Sequence, residues 1–412
     1  MKVRIHYIII LLLLITACHG LNKLSLYNLS NQYSNTNFTV LDAVAFNNGS
    51  EATRVYVSVQ MADMVTSSPE NSGKNFREAG IKYKLFESYE SKQIIDSATI
   101  IITDSTLYIF DTIIAIDIQY PEERKYILKL ELTDLNRVDA VSNYLFLDNL
   151  SPLSRDNYLL RDVDGDLLFR NMTAEDESFF MQLSDTFAHQ VFVRYYDREF
   201  PLALPPFLEE TETNFDYRAD SVFTIAANKG ETGIMQLQEE GFYHIQTDSN
   251  QRGGYTLFRF HNGFPEIITT EQMLQPLRYI TTKSEFDEMR NADDVKLAVD
   301  NFWLDNAGNA SRARAMIHKY YSRVVDANNY FTSYHEGWKT DRGLIYIVYG
   351  PPKIVYRGKD IEEWLYGEKG NNNSIRLQFI KVGNPFSEND YSLVKSPSYK
   401  EKWYNIVNTW RR

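Results

Sequence analysis

The chain predicts a multidomain fold in which two β-sandwich, Ig-like modules precede a C-terminal α+β domain. Three observations carry this. Apolar residues alternate with period two over much of the first 265 positions, helical periodicity takes over after about residue 266, and the charge is uneven. Residues 18–275 hold 20 Lys/Arg against 38 Asp/Glu, whereas residues 276–412 hold 21 against 17, an asymmetry that marks separately built modules.

The chain opens with Lys2 and Arg4, an aliphatic run from Ile8 to Ile15, and then Thr16-Ala17-Cys18. A spanning helix needs roughly 20 apolar residues, so the run is too short to cross a bilayer and reads as an export signal. Small residues just before a cysteine resemble the lipobox of bacterial lipoproteins. That resemblance implies removal of residues 1–17, lipid on Cys18 and attachment to the outer membrane. With no acidic cluster after Cys18, the periplasmic face is expected. Cys18 is the only cysteine, so no intramolecular disulfide can form. The Asn/Ser-rich stretch over residues 18–36 reads as a flexible tether.

Residues 37–150 form the first expected module. Val55, Val57, Val59 and Met61 alternate with polar neighbours, as do Tyr126, Leu128, Leu130 and Leu132, giving each strand one buried face. Ala98 to Ile102 and Ile113 to Ile118 are denser, as expected of strands covered on both sides. Residues 151–265 repeat the grammar, with strands expected over 190–196, 221–227, 241–247 and 254–260. Pro201, Pro205 and Pro206 mark an edge or loop. Asp162, Asp164 and Asp166 imitate the opening of a calcium loop, but Leu167 and Thr173 stand where the glycine and glutamate belong. A hairpin turn on Asp164-Gly165 fits better.

The third module covers residues 266–412. Thr282 with Glu285 fits a capping box, with Ser284 and Asp287 a rival start. One helix is expected from about Ala292 to Asp305. A longer one begins near Ser311, with Ala313, Ile317, Tyr320, Val324, Ala327 and Phe331 as its core stripe and Arg312, Arg314, Lys319 and Arg323 on a solvated reverse face. Strands are expected over residues 344–349, 363–366 and 375–381, and a terminal helix carries Trp403, Ile406, Val407 and Trp410.

Between the long helix and residue 344 stands Gly337-Trp338-Lys339-Thr340-Asp341-Arg342-Gly343. Gly337 can close the helix in a left-handed conformation, Gly343 can admit a tight turn into a strand, and Gly350-Pro351-Pro352 stops that strand. With Tyr320-Tyr321-Ser322-Arg323-Val324, this segment closely resembles the bacterial GWxTD domain family over about residues 276–412. The resemblance implies an exported protein, often a lipoprotein, with β-rich segments ahead of the motif. It brings no assigned reaction.

A net charge of −12 excludes nucleic acid as an expected partner. There is no nucleophile elbow, zinc motif, phosphate loop or dinucleotide fingerprint, and no cofactor or metal is implied. His335, Glu336, Thr340, Asp341 and Arg342 are the candidates for chemistry. His335 or Asp341 could act as general base and Arg342 could hold an anion. The structural alternative is that Asp341 and Arg342 satisfy one another and the turn, while His335 sits charged at a helix C-terminus. Three functions follow: a non-enzymatic scaffold meeting protein partners in envelope assembly, secretion or surface organisation; an envelope-polymer hydrolase or transferase; and a glycan-binding lipoprotein, for which the 28 Tyr and 24 Phe would supply rings.

Overall fold

The computed structural model describes residues 24–34, 39–47, 52–68, 75–105, 111–120, 124–209, 215–368, 370–371 and 374–411. The export signal and Cys18 lie outside the described residues.

The first module contains β1 (Leu41–Asn47), β2 (Ala52–Val59), β3 (Arg77–Phe86), β4 (Asp96–Asp104), β5 (Thr112–Gln119), β6 (Lys125–Asp134) and β7 (Ala140–Asp148). They form two antiparallel sheets, β1-β2-β5 and β4-β3-β6-β7. Val55, Val57 and Val59 of one sheet share a buried core with Ile81, Leu128, Leu130 and Leu132 of the other, the sandwich that the alternation predicts. The two dense apolar runs depart from expectation. β4 and β5 are edge strands with one face in the core and the other in solvent, and Ile101 is 64% exposed. Hydrophobic density alone does not distinguish an edge strand from a covered one.

The second module is one antiparallel seven-stranded sheet of β8 (Tyr158–Asp162), β9 (Phe179–Leu183), β10 (Gln190–Tyr196), β11 (Ser221–Asn228), β12 (Glu231–Thr232), β13 (Gly241–Gln246) and β14 (Tyr255–Arg259). Its order is β14-β13-β10-β11-β12-β9-β8. The sheet wraps around its core. Leu160, Phe179 and Met181 from one end meet Val193, Ile245 and Leu257 from the other, and the rings of Tyr158 and Tyr255 lie 6.2 Å apart. The acidic turn is a hairpin: Gly165 takes φ +90°, and Asp162 Oδ1 accepts the N–H groups of Asp164 and Asp166 at 3.0 and 2.8 Å.

The third module packs helices against the antiparallel sheet β15 (Ile354–Arg357), β16 (Ile361–Tyr366), β17 (Ile375–Lys381) and β18 (Tyr391–Leu393). The helices are α1 (Thr270–Leu274), α2 (Lys283–Arg290), α3 (Val295–Ala307), α4 (Ala310–Phe331), α5 (Asp341–Tyr349) and α6 (Lys400–Thr409). The Thr282–Glu285 capping box opens α2; the rival fails, because Ser284 bonds Glu288 instead. The stripe on α4 is buried except at Ile317, which is half-buried. Arg312, Arg314 and Lys319 are exposed as expected. Arg323 is not: it turns inward and donates to the carbonyls of Ile347 and Val348 at 3.0 and 3.3 Å, covering the end of α5.

Residues 344–349, expected as a strand, belong to α5. A continuous apolar run fits a buried helix as well as a strand. Here the preceding Thr340 decides, because its hydroxyl accepts the Gly343 N–H at 2.9 Å as an N-cap. Gly350 then stops a helix, at φ +91°.

The expected tether is the largest departure. Over residues 24–34 it is docked on the edge of β15. Ser25 N–H donates to Arg357 O at 2.7 Å and Leu29 N–H to Val355 O at 2.8 Å. Asn28 Oδ1 accepts the Val355 N–H at 2.9 Å. Leu29 and Tyr33 are buried in the C-terminal core. Polar composition points to flexibility, but the two apolar residues four apart that fasten the segment outweigh it.

Candidate functional site around the GWKTDRG segment

The end of α4 and the start of α5 are pressed together, and both motif glycines are there for closeness. A Cβ on Gly337 would lie 2.0 Å from Ala327 O, and one on Gly343 would lie 2.0 Å from Gly337 O. Neither glycine has positive φ, so the expected left-handed cap and tight turn are replaced by backbone contact that any side chain would block. Gly337 N–H donates to Thr332 Oγ1 at 3.0 Å and Trp338 N–H to Asn328 Oδ1 at 3.1 Å. Thr340 Oγ1 donates to Gly337 O at 2.8 Å. Trp338 is buried and its carbonyl accepts the Tyr279 hydroxyl at 2.9 Å.

Asp341 and Arg342 do not pair with each other in the way expected of the turn. They face different parts of the sheet. Asp341 Oδ2 accepts the Leu393 N–H of β18 at 2.7 Å, and Lys395 Nζ stands 3.5 Å from Oδ1. Arg342 is 1% exposed, donating to Asn389 O at 2.9 Å and Asn389 Oδ1 at 2.5 Å. Its guanidinium lies 4.2 Å from the ring centre of Tyr391 and 5.0 Å from that of Phe331.

Behind Arg342 lies a buried charge network that spans the chain. Glu362 is fully buried and accepts from Tyr33 Oη at 2.8 Å, Trp364 Nε1 at 2.7 Å and Arg357 Nε at 2.7 Å. Arg342 Nη1 is 3.7 Å away. Burial alone would raise the Glu362 pKa; Arg357, then Arg342, more than offset it and hold the carboxyl below its ordinary range. Tyr33 is pushed the other way, first by burial, so its hydroxyl stays a neutral donor to Glu362. Nothing in the sequence near the motif signals Tyr33 or Glu362. Their membership depends on two strands and a segment some 300 positions upstream meeting at one point.

His335 is placed apart from these groups. It follows the end of α4 by four residues, and its ring lies against Phe200 at 4.8 Å and Tyr334 at 5.1 Å. Both ring nitrogens are shielded from solvent and without a hydrogen-bond partner. Burial first, and Lys339 second, push its pKa down to about 4. The ring is therefore neutral at pH 7, contrary to the expected charged cap, and poorly matched to a general base at that pH. Glu336 is paired with Lys339.

Residues 241–412 match the model of the family described as the GWxTD domain. The chain carries a GWxTD domain. The match begins inside the second module, taking in the β13–β14 hairpin ahead of the expected boundary at 266. That hairpin packs on the rest of the domain: Phe242 and His244 lie 4.9 and 5.3 Å from the ring of Phe386. Among curated proteins, none matches the chain.

Beside Phe386 opens a cleft of about 390 Å³ lined by Phe215, Tyr217, Tyr334, Val382, Gly383, Asn384 and Phe386. Asp390 stands behind it, its pKa raised to about 6 by burial, with Asn384 Nδ2 donating to it at 3.0 Å. All five Trp of the GWxTD domain are buried. Among the described residues no helix is long and apolar enough to cross a membrane, and no cluster of His, Cys, Asp and Glu is arranged to hold a metal.

Proposed function

We propose that this protein is an outer-membrane lipoprotein, anchored through Cys18 on the periplasmic face, whose modules serve as a non-enzymatic platform for protein partners in envelope assembly, secretion or surface organisation. The carrying observation is the state of the motif. Asp341 binds the β18 backbone, Arg342 is enclosed by Asn389, Glu362 and two rings, and His335 is a neutral ring in an aromatic setting. Asp341 and Arg342 are taken up in holding helix, sheet and N-terminal segment together, and His335 is packed away from both. The lipobox-like Ala17-Cys18 supports the anchor.

Asp341→Asn tests this. Losing the carboxylate weakens the tie to β18 and removes the charge beside buried Lys395, which costs on the order of 3 kcal/mol. The unfolding midpoint of the GWxTD domain should fall, and cellular function should fall only as folded protein is lost. A variant with wild-type stability and no function would instead favour chemistry at Asp341. Crosslinking in intact envelopes should capture specific protein partners; recovery of abundant porins alone would count against the platform.

The cleft beside Phe386 supports a second reading, glycan binding, since Tyr217, which is 39% exposed, and Tyr334 stand in its wall. Titration with envelope oligosaccharides, using Tyr217→Ala as control, distinguishes it.

A further inference from the structure

The docked segment fixes where an anchored chain must face. Leu24 is six residues beyond Cys18, a distance that even a fully extended chain covers in about 20 Å. From Ser25 onward the segment is held by Arg357, Val355 and Lys353, and Tyr33 is locked into the Glu362 network. Anchoring therefore cannot leave the GWxTD domain hanging at the far end of a long leash. Between these fastenings Leu26 and Tyr27 point outward, 48% and 66% exposed. The exposed Lys359 sits in the β15–β16 turn, two residues past Arg357, whose N–H donates to Ser25 Oγ at 3.1 Å.

We propose that Leu26, Tyr27 and the Lys359 turn form a lipid-facing surface that seats the GWxTD domain on the membrane. This rests on the reading of Cys18 as lipidated. The chemistry fits a bilayer interface: an aliphatic side chain and an amphipathic phenol enter the headgroup boundary, with the exposed Lys359–Asp360 turn alongside them at the polar level. Both apolar residues are held within reach of the acyl chains by a segment that is itself immobilised, so the contact orients the domain rather than merely adding affinity.

The test uses the full acylated chain in vesicles of phosphatidylethanolamine and phosphatidylglycerol doped with a headgroup-attached nitroxide lipid. With Cys18 acylated, a thiol introduced by Lys359→Cys or Phe187→Cys takes a bimane label selectively. Phe187, 85% exposed on the second module, is the reference. The expected result is loss of most of the emission from position 359, little loss from 187, and several-fold weaker quenching at 359 when Leu26→Asp and Tyr27→Asp are added. Equal quenching at both positions, or none at 359, on chains whose N-terminal peptide has the acylated mass, overturns the surface while leaving the anchor standing. A bare Cys18 by mass overturns both.

Discussion

Replacing Tyr33 with Ala tests the most consequential departure from sequence expectation, because a tether residue and a core residue answer oppositely. Truncating a fully packed aromatic side chain costs about 3–5 kcal/mol. The lost hydroxyl also leaves Glu362, buried between Arg357 and Arg342, with one donor fewer, worth about 1–3 kcal/mol. The two overlap, so a combined loss of about 4 kcal/mol is expected, or about 2 M off a urea midpoint at a slope of about 2 kcal/mol/M. The assay is domain-selective, since all five Trp, at positions 303, 338, 364, 403 and 410, lie in the GWxTD domain. Tryptophan emission reports that domain while the sandwich stays spectroscopically silent. Tyr33→Phe, which keeps the ring, should lose only about 1–2 kcal/mol. An unchanged tryptophan midpoint in Tyr33→Ala would refute the docking and restore the flexible tether.

Gly343→Ala should reverse the usual sign. Ala in a helix interior ordinarily gains about 0.5–1 kcal/mol over Gly, but here the Cβ meets Gly337 O at 2.0 Å, so a loss of about 3 kcal/mol is expected by the same tryptophan assay. A gain would mean that the two segments are not in contact. Asp156 and Asp390, whose pKa burial raises to about 7 and about 6, stabilise the fold as pH falls, whereas His335 and His244, both with pKa near 4 in the folded state through burial, destabilise it. The folded pKa of each histidine lies below the unfolded value of about 6.5, so the unfolded chain binds more protons between the two. The histidine contribution is complete above about pH 6.5 and is lost as pH falls from there to about 4, by roughly 3 kcal/mol for each group. His335→Phe should reduce that contribution by about half without loss of stability at pH 7. An unaltered acid profile would show that His335 is solvated.

What can be read from sequence follows from how local each signal is. Alternation along Val55–Val59 and Tyr126–Leu132, the Thr282–Glu285 box and the stripe from Ala313 to Phe331 each specify an element by themselves, and each is found. Tyr158–Asp162 and Phe179–Leu183 escape a sequence reading, being only five residues each. The run after Gly343 suggests the wrong element because an all-apolar segment has no period, and the single informative residue, Thr340, fits a turn equally well. The motif is visible as residues but not as relationships: Asp341 reaches β18, 52 positions on, and Arg342 reaches Tyr33, 309 positions back. No local pattern carries a partner at such separations.

Because Ser25 is bonded to Arg357, 332 positions later, a segment synthesised early has its seat built from one synthesised much later. Leu29 and Tyr33 must wait in water while more than three hundred residues follow, and closing so long a loop is entropically costly and slow. A chain truncated before β15 would leave Leu29 and Tyr33 without the surface that buries them.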